Sequence, residues 1–218
     1  GNTSNIDEIR KFAIKNKIYL IEDNCESLGS KYKNKYLGSF GDFSSFSFYY
    51  SHQVTSGEGG MIACKTKDDY LLLKALRAHG WDSDIQKQRV NKKFNFINSG
   101  FNLRPLEISA AIGLNQFKRL SKMMSIRTYN RNKLIYFIKK SENWEKQFSF
   151  FYPHKNLKPS WFGFPILLDA KYIRKKEKFL NFLNKNRVET RPIISGNFVN
   201  QPAINLYNIS YNLKELQN

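Results

Sequence analysis

The chain is predicted to adopt an α/β fold, because a helical period passes into a short apolar run that ends in acidic residues, and the alternation recurs downstream. Ile6, Ile9, Phe12 and Ala13 stand at helical spacing up to Lys17, the recurrence of an amphipathic helix with one apolar face. Ile18 to Ile21 then stops abruptly at Glu22, Asp23 and Asn24, as a buried parallel strand does where it meets its C-terminal loop. Farther on, Gly59 and Gly60 precede a second apolar run, Met61 to Cys64, and a helical period resumes at Asp68.

The elements follow in order. Ser4 and Asp7 suit a capping box for the first helix. Phe43 to Phe48 interleaves phenylalanine and serine, and Met61 to Cys64 follows a glycine turn, so both read as strands. Asp68 to Ala78 reads as a helix. Pro105 suits the first turn of a long helix, with Leu106, Ala110, Ile112, Leu114, Phe117 and Leu120 supplying its apolar face. That helix is expected to link two lobes. A further helix over Ile126 to Lys140 precedes a strand at Trp161 to Leu168, a helix over Ile173 to Lys185 and a strand at Val188 to Ile194. The expected division is a large domain over residues 1–125 and a small C-terminal α/β lobe over 126–218, with no internal repeat or low-complexity linker between them.

Bulk composition narrows the function classes. With 218 residues and 41% hydrophobic content the chain can bury a substantial core, yet no run approaches the ~20 apolar residues of a bilayer span. Residues 1–7 have neither the basic start nor the apolar core of a secretory signal. The two cysteines, Cys25 and Cys64, form no CxxC or Cys/His spacing, so a reducing, cytoplasmic setting is expected. A formal charge of +18 raises the possibility of a nucleic-acid binder. The lysines are nevertheless scattered along the chain with no single basic arm, so neither nucleic acid nor membrane is expected as a partner, and a nucleotide-linked substrate would also benefit from the charge.

Three clusters could carry chemistry. Glu22 to Glu26 follows the first strand, where ligand sites of open α/β sheets lie; its bland reading is a solvated loop with a helix cap. The segment from Phe46 to His52, running on to Thr55-Ser56-Gly57-Glu58-Gly59-Gly60, offers hydroxyls beside glycine-rich backbone, a plausible phosphate cradle. It lacks the spacing of a P-loop or dinucleotide fingerprint, and a lone histidine such as His52 is more often structural. Phe101-Asn102-Leu103-Arg104-Pro105 would by itself be a helix cap.

Taken together, in order and spacing, the three clusters resemble the DegT/DnrJ/EryC1/StrS sugar aminotransferases. That family's pattern is an acidic pair, Ala-Ala-Gln, GxFGDxxxFSF, a lysine and EGG; this chain reads EDNCESLGS, then LGSFGDFSSFSFYYSHQVTSGEGG, and later SGFNLRPLEISAAIGLNQ. The stretch ETRPIISGNFVNQPAI is similar to the family's C-terminal lobe. The resemblance implies a fold-type I transferase dependent on pyridoxal 5'-phosphate, here part of the large-domain sheet plus the small lobe. Family members carry nearly as much chain again before the position of Gly1, so an N-terminally incomplete fragment is expected.

The departures from the pattern are informative. His52, five residues after Ser47, stands where transaminases carry the lysine that bonds to the cofactor. That exchange resembles the nucleotide-sugar 3-dehydratases, and Glu26 together with the segment from Arg77 to Asp82 resembles the GDP-4-keto-6-deoxymannose branch. The implied reaction is removal of the C3 hydroxyl of a nucleotide-linked 4-keto-6-deoxyhexose, in deoxysugar synthesis for lipopolysaccharide O-antigen, with pyridoxamine 5'-phosphate as the working form and glutamate as amine donor. The resemblance makes His52 the base, Asp23 the partner of the cofactor's ring nitrogen, Ser47 a phosphate ligand and Asn102 a phosphate ligand of the partner subunit's site in a homodimer. Glu26 would lie near the ring edge. Arg191 and Arg104 are candidates for substrate oxyanions, which guanidinium suits, and His79 is a further candidate. A nucleotide-sugar aminotransferase and a non-catalytic family member are the competing readings. A related branch holds an iron-sulfur cluster on cysteines after this helix; here no cysteine follows Cys64, so four thiolates are lacking and no metal is expected.

Overall fold

The computed structural model describes residues 2–82, 94–194 and 196–206. Its elements are α1 (Ile6–Lys15), β1 (Ile21–Asp23), β2 (Lys31–Tyr32), β3 (Lys35–Tyr36), β4 (Phe43–Ser47), β5 (Gly60–Cys64), α2 (Lys67–Leu76), α3 (Glu107–Phe117), α4 (Leu120–Lys140), β6 (Phe148–Phe150), β7 (Leu157–Lys158), β8 (Ile166–Leu168) and α5 (Lys176–Lys185). They fall into two compact units, one formed by Gly1–Ser141 with Tyr152–Phe164 and the other by Glu142–Phe151 with Pro165–Asn218. The boundary expected near residue 125 lies inside α4, which runs unbroken to Lys140; the chain leaves the first unit, returns for residues 152–164 and leaves again.

In the first unit β4 is the centre of a mixed sheet, parallel to β1 and antiparallel to β5. Asp23 lies opposite Ser45, and Ser47 opposite Gly60. Beneath β4, Leu28, Val54 and Leu120 form a buried cluster against which Phe46, Phe48 and Met124 pack. A small second sheet joins the β2–β3 hairpin to β7. The hairpin turns at Lys33 and Asn34, both at positive φ, the geometry whose twist matches two antiparallel strands. Thr66 caps α2, its hydroxyl accepting the Asp69 N–H at 3.0 Å.

The second unit holds the β6–β8 pair and α5, which is entered through a tight helical turn at Ala170–Lys175. Its apolar contacts are aromatic: Trp144 stacks on Phe150 and Phe148 on Phe179.

Several expected boundaries move. The first strand is Ile21–Asp23 and not Ile18–Ile21, because Glu22 and Asp23 find hydrogen-bond partners that let the ladder run through them. The expected helix from Pro105 to Leu120 is two helices, broken at Lys118 and Arg119, and the helix expected from Ile126 begins at Leu120. Only Ile166–Leu168 of the stretch Trp161–Leu168 is strand, after Gly163 and Pro165 interrupt it. No strand forms over residues 188–194, where Pro192 lacks a donor and Ile194 takes positive φ. The capping box at Ser4 is absent: Asn5 is the cap without a side-chain bond, and Asp7 instead accepts from Lys33 Nζ at 2.7 Å and Tyr32 OH at 2.8 Å. Among the described residues, no helix is long and apolar enough to cross a membrane.

Candidate functional site

Successive side chains of a strand point to opposite faces, and that separates the two carboxylates of β1. Glu22 turns inward and is buried; its carboxylate accepts the backbone N–H groups of Gly38 at 2.8 Å, Phe40 at 2.7 Å and Gly41 at 2.6 Å. It is a structural anchor for the loop into β4. Asp23 turns to the exposed face, where Oδ1 accepts the Cys25 N–H at 3.1 Å and the Ser45 hydroxyl at 3.2 Å. Hydrogen bonding from Cys25, thiol first and backbone second, and then from Ser45 outweighs desolvation and holds the Asp23 carboxyl below the usual carboxylate range. The Cys25 thiol is pushed up, chiefly by burial and then by Asp23, so it is a poor nucleophile.

Strand period places Ser45 and Ser47 on the same face as Asp23. Ser47 Oγ accepts the Tyr49 N–H at 3.3 Å, which leaves its O–H proton to donate to an anion. An ionised carboxylate and a donating hydroxyl on one face of the sheet fit a cofactor with a cationic ring at one end and a phosphate at the other. A cavity of about 270 Å³ opens beside β1 and is lined by Asp23, but not by Ser47 or His52.

His52 sits in the loop between β4 and β5. That loop is closed at its base by Phe48 N–H to Gly59 O at 2.8 Å and Ser56 N–H to Phe48 O at 2.9 Å, and His52 N–H donates to Tyr49 O at 3.0 Å. The imidazole is half-buried between Phe162, centroids 5.2 Å apart, and Tyr49 at 6.0 Å; its Nδ1 is buried with no hydrogen-bond partner. Next to it Gln53 is buried, its Nε2 donating to the carbonyls of Glu26 at 2.7 Å and Ser160 at 3.4 Å. Gln53 thereby ties the His52 loop to the loop after β1, a role the sequence reading did not find. Ser45 was missed as well, although its period-2 relation to Ser47 would have shown it. The Glu26 side chain is exposed.

Asn102 and Arg104 are exposed and lie before α3. Their segment runs back along the end of α2: Phe101 N–H donates to Leu76 O at 2.6 Å, Leu103 N–H to Arg77 O at 2.9 Å, and Asn102 bridges to Ala78. The reversal is made by His79 and Gly80, both at positive φ, and a side chain at Gly80 would collide with the Asn98 carbonyl. His79 is therefore first of all a turn residue. Arg191 lies exposed in the second unit, in irregular chain.

A model of the DegT/DnrJ/EryC1/StrS aminotransferase family matches residues 1–215. The chain is 35% identical to GDP-4-keto-6-deoxy-D-mannose 3-dehydratase of Escherichia coli O55:H7, over 95% of its own length and 54% of that protein. It is 30% identical to lipopolysaccharide biosynthesis protein RfbH of Salmonella typhimurium, over 93% of its own length and 50% of that protein. Among solved structures it is similar to a GDP-4-keto-6-deoxymannose-3-dehydratase with a trapped PLP-glutamate adduct, with TM-score 0.84 and 32% identity, covering 100% of this chain and 58% of that one. The chain spans about half the length of the curated relatives it matches.

Proposed function

We propose, from the premise that this chain belongs to the DegT/DnrJ/EryC1/StrS aminotransferase family, that it forms part of a nucleotide-sugar 3-dehydratase. The reaction is removal of the C3 hydroxyl from a GDP-linked 4-keto-6-deoxyhexose, for a lipopolysaccharide deoxysugar. The observation that carries this reading is His52, an imidazole five residues beyond Ser47 where amine-transferring relatives need a lysine. When bound, pyridoxamine phosphate supplies the amine that joins the sugar's C4 carbon and a ring that accepts electrons from the neighbouring bonds. Asp23, held ionised, keeps the ring nitrogen protonated. Ser47 donates to the phosphate, and Glu26 lies at the ring edge. His52 takes the proton from C4′, the general-base work that imidazole most often does in enzymes. Because imidazole does not bond covalently to the cofactor, the chain does not compete with the substrate for it.

In this reading the working form is a cytoplasmic homodimer, Asn102 of one subunit reaches the cofactor phosphate of the other, and Arg104 and Arg191 meet substrate oxyanions. Glutamate restores the amine form; the relative captured with a PLP-glutamate adduct supports that choice. The test is to supply the whole polypeptide with pyridoxal phosphate, glutamate and GDP-4-keto-6-deoxymannose. The expected products are a 3-deoxygenated 4-keto sugar, 2-oxoglutarate and ammonia. A 4-amino sugar that keeps its C3 oxygen would make the protein an aminotransferase instead, and no consumption of either substrate would overturn both readings.

A further inference from the structure

We propose that Arg127, acting through the backbone of Phe162, sets the orientation of the His52 ring, so that Arg127 and Phe162 are positioning residues for the proton transfer. The proposal rests on the reading of His52 as the base. A catalytic histidine is commonly oriented by a carboxylate or carbonyl on its second nitrogen. Here Nδ1 is buried and has no such partner, so hydrogen bonding does not fix the ring. The backbone beneath it is fixed, through the His52 N–H bond to Tyr49 and the buried Gln53 and Val54 that follow. What constrains rotation of the side chain is ring contact, and Phe162 is the nearer ring, at 5.2 Å and 55°.

Phe162 stands at the end of a short returning segment, just before the exposed Gly163. Besides the β7 pairing with β2, four contacts hold its end at Ser160, Trp161 and Phe162. Ser160 N–H donates to Ser30 Oγ at 2.8 Å, both residues being buried. Gln53 donates to the Ser160 carbonyl. The Arg131 guanidinium lies 3.9 Å from the Trp161 ring centre. Arg127 Nη1 donates to the carbonyls of both Trp161, at 3.0 Å, and Phe162, at 2.9 Å. One Nη1 carries two hydrogens, so both bonds form at once, each assisted by the charge. The last contact acts on Phe162 itself, and the second joins the same segment to the residue beside His52. Without the Arg127 clamp Phe162 withdraws, water reaches Nδ1 and the imidazole gains rotational freedom. The loss falls on the chemical step and not on substrate binding.

The test uses the whole polypeptide with histidine carrying a carbon-13 label, the His52 signals being assigned by their absence in His52→Asn. In the parent protein the Phe162 ring shifts the His52 ring protons; Phe162→Leu should abolish that shift. Arg127→Gln should move the signals toward their Phe162→Leu positions, and Arg127→Lys, whose ammonium can still serve both carbonyls, should restore much of it. In Phe162→Leu and Arg127→Gln, kcat should fall by ~10 to 10²-fold with little change in KM, the scale of a small misplacement of a catalytic group. Phe162→Tyr, which keeps the ring, should stay near the parent in both readouts. Unchanged His52 signals in Phe162→Leu and Arg127→Gln would overturn the proposal, and so would their displacement with kcat intact. If His52→Asn keeps normal turnover, the base assignment itself fails while the signals still report the contact, so the two failures are distinguishable.

Discussion

The loop that carries His52 and the helix that follows Asn102 are built on opposite principles. Between β4 and β5, Gln53, Val54 and Ser56 are 3%, 2% and 5% exposed, and backbone bonds close the loop at its base. In α3 no residue is buried: Ile108 is 74% exposed and Leu114 67%. A helix apolar on most sides belongs in an interior or an interface. The Asp23, Ser47 and His52 part of the candidate site therefore takes its geometry from contacts within the first unit. The Asn102 and Arg104 segment is tied to the end of α2 through Leu76, Arg77 and Ala78, while α3 after it keeps an apolar surface that, in our reading, the second subunit covers.

The largest effect is expected where the site is self-contained. His52→Asn should still bind cofactor, because Asp23 and Ser47 remain, yet turnover per loaded site should fall by roughly 10² to 10⁴, the range for a positioned general base. Borohydride should fail to attach cofactor to the parent chain and should attach it to His52→Lys. Near-normal turnover in His52→Asn would leave His52 as a packing residue against Phe162 and Tyr49.

Glu22 tests the same self-containment through stability. Glu22→Ala leaves three backbone donors without their acceptor in a buried loop, at a cost of about 3 to 5 kcal/mol. Chemical denaturation of the whole polypeptide should show that loss, and the neighbouring Asp23→Ala should show far less. Equal midpoints for the two variants would mean that water replaces the Glu22 carboxylate.

How much was legible follows from the same contrast. The acidic pair, the β4 alternation and the order of motifs are local patterns, and they placed Ser47 on the strand and His52 in the loop they occupy, whereas Asp23, expected in the loop after the first strand, is the last residue of the strand itself. The different fates of Glu22 and Asp23 were not legible, since three backbone donors arriving from residues 38–41 decide them. Nor were Gln53, whose partners lie 27 and 107 residues away, and Arg127, whose partners lie 34 and 35 residues away. The strand expected over 188–194 failed because it was read across Pro192, which cannot donate to a ladder, and the helix expected from Pro105 failed because one face pattern spans a break at Lys118 and Arg119.

Subunit mixing addresses the other side of the comparison. Asn102→Ala and Asp23→Ala should each be nearly inactive as homodimers if each site draws one of these residues from each chain. Random reassociation makes half the dimers mixed, each with one intact site of two, so about a quarter of parent activity should return. No recovery would place Asn102 in the same site as its own Asp23, or outside the site altogether.

The smallest effect concerns the charge on Asp23. Its folded pKa lies below the usual range because the ionised form accepts from Cys25 and Ser45. A carboxylate depressed in this way contributes stability above its unfolded pKa, and loses it only as pH falls through the lower folded value. The ring-nitrogen contact should follow the same course. In the parent protein the Asp23 contribution to cofactor affinity should stay constant from neutrality down to about pH 4, the ordinary carboxylate value, and weaken only below it. Asp23→Asn keeps the shape and removes the charge, so affinity should drop by about tenfold or less at neutral pH, given that the group is largely solvated. The ratio of the two affinities, measured by cofactor absorbance against pH, removes titrations common to both proteins, including that of the phosphate. A ratio that collapses already between pH 6 and 5 would mean that the group sensing pH is not a stabilised Asp23 carboxylate, and the pairing of Asp23 with the ring nitrogen would have to be abandoned.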